Sequence, residues 1–134
     1  MQHIIPYLAY EDAPAAMAFL RDAFGFEERD RLVMNDGRIG HAEMALGEGA
    51  IFLASLWKEV GAMSPKDLPG NHCQIYCHVP DADAHFERAR RAGATVINEP
   101  SDQHGERMYR AMDLEGHRWI FASSLRGEGH ASHS

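Results

Sequence analysis

The sequence predicts an α+β chain built from one β-α-β-β-β unit used twice, and three observations predict it. Two helical segments share a cap, a similar length and a terminating glycine. Short strand patterns flank both helices in the same order. A stretch carrying Gly61, Pro65, Pro69 and Gly70 separates the halves.

The first strand is expected over residues 4–10, with Pro6, Leu8 and Tyr10 toward the helix and Ile5, Tyr7 and Ala9 on the other face. The first helix follows, with Asp12 as N-cap, Pro14 in the first turn and Gly25 at the left-handed C-cap. Ala16, Phe19, Leu20 and Ala23 recur at helical spacing, with Phe24 at their edge. Three strands are expected next, over 27–33, 39–46 and 50–56. The second half repeats the scheme: a strand over 74–79, a helix from Asp81 to Gly93 with Ala82, Phe86, Ala89 and the stem of Arg90 on its buried side, then strands over 95–98, 107–112 and 117–123. The chain therefore reads as one domain over 1–125: module one at 1–57, a linker at 58–72 and module two at 73–125. The tail 126–134 has no apolar pattern and is expected to be disordered; His130 and His133 within it receive no role.

With 134 residues, 45% of them apolar and 25% charged, the composition suits a soluble domain. No apolar run approaches the roughly 20 residues a membrane helix needs, and the first residues lack a secretory pattern, so the expectation is a cytoplasmic protein without a membrane partner. Thirteen basic against twenty acidic residues give a net charge of −7. That disfavours nucleic acid and would attract a cationic ligand. Cys73 and Cys77 would lie roughly 13 Å apart on a strand, too far for a disulfide. They are expected to be reduced core residues.

The segment Gly40-His41-Ala42-Glu43-Met44-Ala45-Leu46 carries the strongest site signal. Ala42, Met44 and Leu46 form a core set, so His41, Glu43 and Ala45 share the opposite face. The same reasoning puts Gln74, Tyr76 and His78 opposite Ile75, Cys77 and Val79, and Arg118 and Ile120 opposite Trp119 and Phe121. Over 107–112 the alternation is ambiguous, with Arg107 and Tyr109 on one face and Met108, Arg110 and Met112 on the other.

The repeat resembles the vicinal oxygen chelate superfamily, which holds glyoxalases, bleomycin-resistance proteins and ring-cleaving dioxygenases. The wording of Ile5-Pro6-Tyr7-Leu8-Ala9-Tyr10-Glu11-Asp12, of Ala23-Phe24-Gly25-Phe26, of Gly40-His41-Ala42-Glu43, of Ala92-Gly93-Ala94 and of Asp113-Leu114-Glu115-Gly116-His117-Arg118-Trp119 is similar to its PhnB-like branch, with Leu114 where that branch has proline. The resemblance implies two βαβββ modules forming a curved mixed sheet around a shared cavity, with helices outside, and a homodimer in which modules are sometimes exchanged.

Metal-dependent relatives place two His and one or two Glu on the first and last strand of each module. Carried onto this chain, those positions are Ile5, a site near Phe52, Gln74 and Ile120. Three are hydrocarbon, and Gln74 alone is a poor site. No metal or other cofactor is therefore expected; a substitute divalent site built from His41, Glu43 and His78 is the minor alternative. Candidate ligand-binding residues are Tyr7, His41, Glu43, Trp57, Gln74, Tyr76, His78, Arg107, Tyr109 and Arg118, with Arg107 equally able to pair with Glu106, Asp102 or Asp113. Glu43 and His41 are the best catalytic candidates, through acid–base chemistry. Whether the protein is an enzyme is left open. The leading expectation is a metal-free binder that sequesters a cationic or aromatic compound. The alternative is a metal-dependent or acid–base lyase, isomerase or dioxygenase of the same fold.

Overall fold

The computed structural model describes residues 2–125; the expected tail at 126–134 lies outside the described residues. In chain order the elements are β1 (Tyr7–Tyr10), α1 (Ala13–Phe24), β2 (Glu27–Val33), β3 (Ile39–Leu46), β4 (Gly49–Ser55), β5 (Ile75–His78), α2 (Ala82–Arg91), β6 (Thr95–Gln103), β7 (Glu106–Met112) and β8 (Arg118–Ser124), with a single 3-10 turn at Lys58–Val60 in the linker. The strands form two four-stranded mixed sheets, ordered β1-β4-β3-β2 and β5-β8-β7-β6. In each the first and last strands of the module run parallel at one side: Tyr7 lies opposite Phe52, and Tyr76 opposite Ile120. This is the predicted α+β duplication.

Both helices start where the side-chain chemistry says they should. The Asp12 carboxylate accepts from the Ala15 N–H, and the Asp81 carboxylate from the Ala84 N–H, each at 3.1 Å. Gly25 ends α1 at a φ of 81°, the left-handed region that residues with a Cβ avoid. The buried face of α1 is Ala13, Ala16, Met17, Leu20, Ala23 and Phe24, and that of α2 is Ala82, Phe86 and Ala89. Arg90 does not lie along this side; it is exposed and pairs with Glu87.

Each helix covers one face of its own sheet, and the two helices pack on each other. The helix-side faces thereby fuse into one core. Phe24 of module one lies 4.8 Å from Phe121 and 5.7 Å from Trp119 of module two, and Phe26 lies 5.4 Å from Trp119, ring centre to ring centre. A buried carboxylate pair fastens the halves further. Asp113 accepts from the Tyr10 hydroxyl at 2.5 Å and the Trp119 indole at 3.1 Å. Glu115 accepts from the Glu11 and Asp12 amides, both at 2.7 Å, and from the Ser64 hydroxyl of the linker at 2.5 Å.

Two strands depart from expectation. β6 runs through Pro100 to Gln103, tolerating the missing N–H because it is an edge strand. The stretch between the strands expected over 95–98 and 107–112 is a tight hairpin: Gln103 pairs with Glu106 around His104 and Gly105, both at positive φ. Cys77 packs against the core, but Cys73 is exposed, outside any strand.

Candidate functional site

The face of each sheet away from its helix mixes polar groups with exposed rings such as Tyr7 and Tyr76. On the first sheet, Leu8 and Tyr10 are buried on the helix side, leaving Tyr7 and Ala9 on the open face. A register shift between Leu32 and Val33 marks a bulge on β3 at Gly40, which is skipped between His41 and Ile39. Past it, Ala42 and Met44 are buried, while His41 and Glu43 share the open face with Tyr7 and Phe52. The Tyr7 hydroxyl and His41 Nδ1 are 2.9 Å apart, and the Tyr7, His41 and Phe52 rings meet edge to face. The expected sharing of a face by His41 and Glu43 is thus what the first sheet displays.

Beside this cluster the linker folds back, held by the pairing of Trp57 with Ala62, and encloses a hollow of about 610 Å³. Its walls are mostly hydrocarbon: Leu32, Met34, Leu56, Val60 and the Trp57 indole, with Tyr7 at one side. Trp57 is 60% exposed. The one charged wall residue, Arg38, is already paired with Asp36 at 2.9 Å. Sequence reasoning found Tyr7 and Trp57 but missed Leu32, Met34 and Val60. The apolar run Leu32-Val33-Met34 beside the Asn35-Asp36-Gly37 turn was the available signal.

On the second sheet, Tyr76, His78, Met108, Arg110, Arg118 and Ile120 share the open face, as the cross-strand register fixes. Glu106 accepts from the Tyr76 hydroxyl and lies 2.8 Å from His78 Nε2. Burial, then the hydrogen bond to Glu106 and its charge, pushes the Tyr76 phenol up to about 12. Two expected lining residues do not belong to this face. Tyr109 is fully buried on the helix side, where its hydroxyl meets His85 Nδ1 at 2.5 Å. Arg107 shares that side and pairs with Asp83 of α2 and with Asp102. The ambiguity over 107–112 resolves this way because a phenol ring fills core volume that Arg110 cannot enter without losing its hydration. Gln74 is exposed just ahead of β5.

A hollow of about 340 Å³ spans the two modules, walled by Pro6, Phe26 and residues 46–51 of the first and by Ile75, Tyr76, Cys77 and His78 of the second. His41 and Glu43 are not part of its lining; Glu43 lines a separate hollow of module one. His41 and His78 accordingly keep separate partners, Tyr7 and Glu106, and the substitute metal set of His41, Glu43 and His78 is not brought together. Among the described residues no group of three or more His, Cys, Asp or Glu side chains is placed to hold a metal ion. Across the parallel strand pairs Phe52 lies opposite Tyr7 and Ile120 opposite Tyr76, so the last-strand ligand positions of both modules are hydrocarbon, as is Ile5 ahead of β1. The donor set does not fit a divalent cation.

A repeated βαβββ unit with two such sheets has known counterparts. The family model described as the Glyoxalase/Bleomycin resistance protein/Dioxygenase superfamily matches residues 1–121. The chain belongs to this glyoxalase/bleomycin-resistance superfamily. Among solved structures, TioX from Micromonospora sp. ML1 is 33% identical, with a TM-score of 0.73 over 93% of this chain and all of that one. A superfamily member from Nocardioides is 19% identical, with a TM-score of 0.68 over 95% of this chain and 87% of that one, and shows the fold alone. The uncharacterized protein Mb0911c of Mycobacterium bovis is 33% identical over 90% of this chain and 82% of its own length. In the superfamily frame, Tyr7, His41 and Phe52 line the first module's open face, and Tyr76 and Ile120 line the second's.

Proposed function

We propose that this superfamily member, of the PhnB-like branch, binds a flat, largely apolar small molecule in the hollow of its first module, without a metal ion. One observation carries the reading: a wide indole, Trp57, stands exposed in a hollow of about 610 Å³ whose only charged wall residue is already neutralised. Pockets that hold drug-sized molecules run from roughly 300 to 1,000 Å³ and are lined mainly by apolar and aromatic groups. An unpaired carboxylate in the wall would have favoured the cationic ligand. Its absence among the described lining residues favours the aromatic one.

Trp57 is also the reporter, because Trp119 is fully buried and distant from solvent. Titration with a neutral planar heterocycle should quench Trp57 emission saturably. Replacement by Trp57→Phe should remove the change while leaving Trp119 emission in place. Failure to see saturable quenching with any of a panel of planar compounds overturns the reading. So does a stoichiometric divalent ion whose removal abolishes binding.

The Tyr7–His41 hydrogen bond, with Glu43 farther along the same face, supports a second reading as an acid–base catalyst. A reaction lost in His41→Ala while ligand affinity stays would establish it. The protein is further proposed to be a cytoplasmic homodimer. Two free thiols suit a reducing compartment. Leu32, Val33, Met34, Val60 and Met63, all about half exposed on and around the first open face, favour cover by a second copy. Light scattering reads that state directly.

A further inference from the structure

We infer that the open face of the second sheet is an anion site, in which Arg110 and Arg118 hold a carboxylate or phosphate group of a small organic acid. The inference does not rest on the hollow of the first module.

In this acidic chain the arginines are mostly spoken for. Arg21, Arg29, Arg31, Arg38, Arg90 and Arg107 each pair with a carboxylate. Arg88 caps α1, donating to the Arg21 and Asp22 carbonyls. Arg110 and Arg118 differ. Both are half-buried, and in both the Nε atom is buried with no hydrogen-bond partner among the described residues. A guanidinium carries five donors in a planar fork, and a buried donor without an acceptor costs free energy. Two such donors on one face ask for an acceptor that the chain does not supply.

The register places them together. Arg110 lies opposite Ile120 and Arg118 opposite Met112 on the same β7–β8 ladder. They are thus diagonal neighbours on one face, with Cβ atoms roughly 7–8 Å apart, close enough for both forks to reach one oxyanion. Arg110 is also aimed: its Nη1 donates to Asn98 Oδ1 at 2.5 Å, which fixes the guanidinium plane. It lines a hollow of about 570 Å³ with Met108, Ile120 and Glu99, a lining that does not include Arg118. Of the acids near this face, Glu106 stands four residues along β7, roughly 13 Å away at the usual strand rise, and is engaged by Tyr76 and His78, while Glu99 lines the same hollow as Arg110 and is exposed. The arginine end of the face sets two guanidinium groups against the one exposed carboxylate of Glu99, and an anion binds at that end. Charge-assisted, forked hydrogen bonds to carboxylate or phosphate are the contacts this geometry offers.

The test compares three non-planar probes of one shape, cyclohexanecarboxylate, cyclohexyl phosphate and the neutral cyclohexanecarboxamide, by calorimetry on the full chain. The acids are expected to bind about tenfold or more tightly than the amide, the span of a charge-assisted hydrogen bond. Whichever acid is tighter names the class. Arg110→Gln and Arg118→Gln should each remove that preference, while Arg91→Gln, on the exposed end of α2, should retain it. Equal binding of acids and amide by the wild-type protein overturns the proposal without any variant, as does no binding of either acid at millimolar concentration. An acid preference that survives both arginine variants overturns it too. None of the three is planar, so quenching of Trp57 by a planar heterocycle reports the first module separately, and the two readings fail independently.

Discussion

The Nε2 atom of His85 lies 2.8 Å from the carbonyl oxygen of Phe24, tying the second helix to the end of the first. A carbonyl only accepts, so Nε2 carries the proton, and in the neutral ring Nδ1 accepts from the Tyr109 hydroxyl. Burial, reinforced by the nearby Arg88 charge and opposed by the Phe24 carbonyl, lowers the His85 pKa below its ordinary value.

A histidine whose folded pKa is depressed contributes stability above its unfolded pKa of about 6.5 and loses it as the pH falls through the folded value. Thermal unfolding followed from pH 8 down to pH 5 should therefore show a fall in melting temperature below about pH 6.5. His85→Gln, which keeps a donor for Phe24, should flatten that part of the profile. An unchanged slope would assign the acid sensitivity to other groups.

At the alkaline end the sign reverses in origin. The Tyr76 phenol titrates near 12 in the folded protein, against an ordinary value of about 10, because of burial and of Glu106. Tyr10 is also raised, by burial first and then by Asp113. A raised folded pKa contributes stability below the unfolded value and loses it as the pH climbs through the folded one, so stability should drop between about pH 10 and 12. Phenolate absorbance should show these rings still protonated at pH 10 and ionising together with unfolding.

Asp113 accepts four hydrogen bonds, from the Tyr10 hydroxyl, the Trp119 indole and the amides of Glu115 and His117. Asp113→Ala leaves buried donors on both modules without an acceptor. The expected cost is about 3 kcal/mol, most of it desolvation left uncompensated, read as a shift in denaturant midpoint. Tyr10→Phe removes one of the four and should cost about 1 kcal/mol.

Gly40 lines the first hollow, and a Cβ built there would sit 2.6 Å from the Met34 sulfur. Met34 is a flexible, exposed side chain, so Gly40→Ala should change stability by less than about 1 kcal/mol. The displaced thioether would alter the hollow that both residues line, and the affinity for a planar ligand should fall. Fluorescence titration beside a melting curve separates the two effects.

The two thiols should behave differently. Burial pushes the Cys77 thiol up to about 12, whereas Cys73 is exposed. One equivalent of a thiol reagent should react with the folded protein near pH 8, and a second only in denaturant.

The duplicated scaffold was legible because each of its signals is local. Asp12, Gly25 and Asp81 are capping residues whose chemistry acts within one turn, and strand β3 follows from alternation within a few residues. The β6–β7 hairpin was missed because Pro100 reads as a strand breaker until the strand is known to be at an edge. The open face of the first sheet could be read, with His41 and Glu43 on it, since Ala42 and Met44 left one choice. The second could not, because Tyr109 and Arg110 are adjacent and either parity puts an aromatic or an arginine inside. The hollow itself depends on Trp57 and Val60 folding back over Leu32 and Met34, a contact between chain segments that no local pattern encodes.

The fused aromatic seam of Phe24, Phe26, Trp119 and Phe121 ties the folding of each half to the other, yet it leaves their outer linings unconstrained by that bond. Substitutions that recolour one lining need not disturb the interior that both halves depend on. A doubled unit of this kind can keep its architecture while its two linings diverge in what they hold.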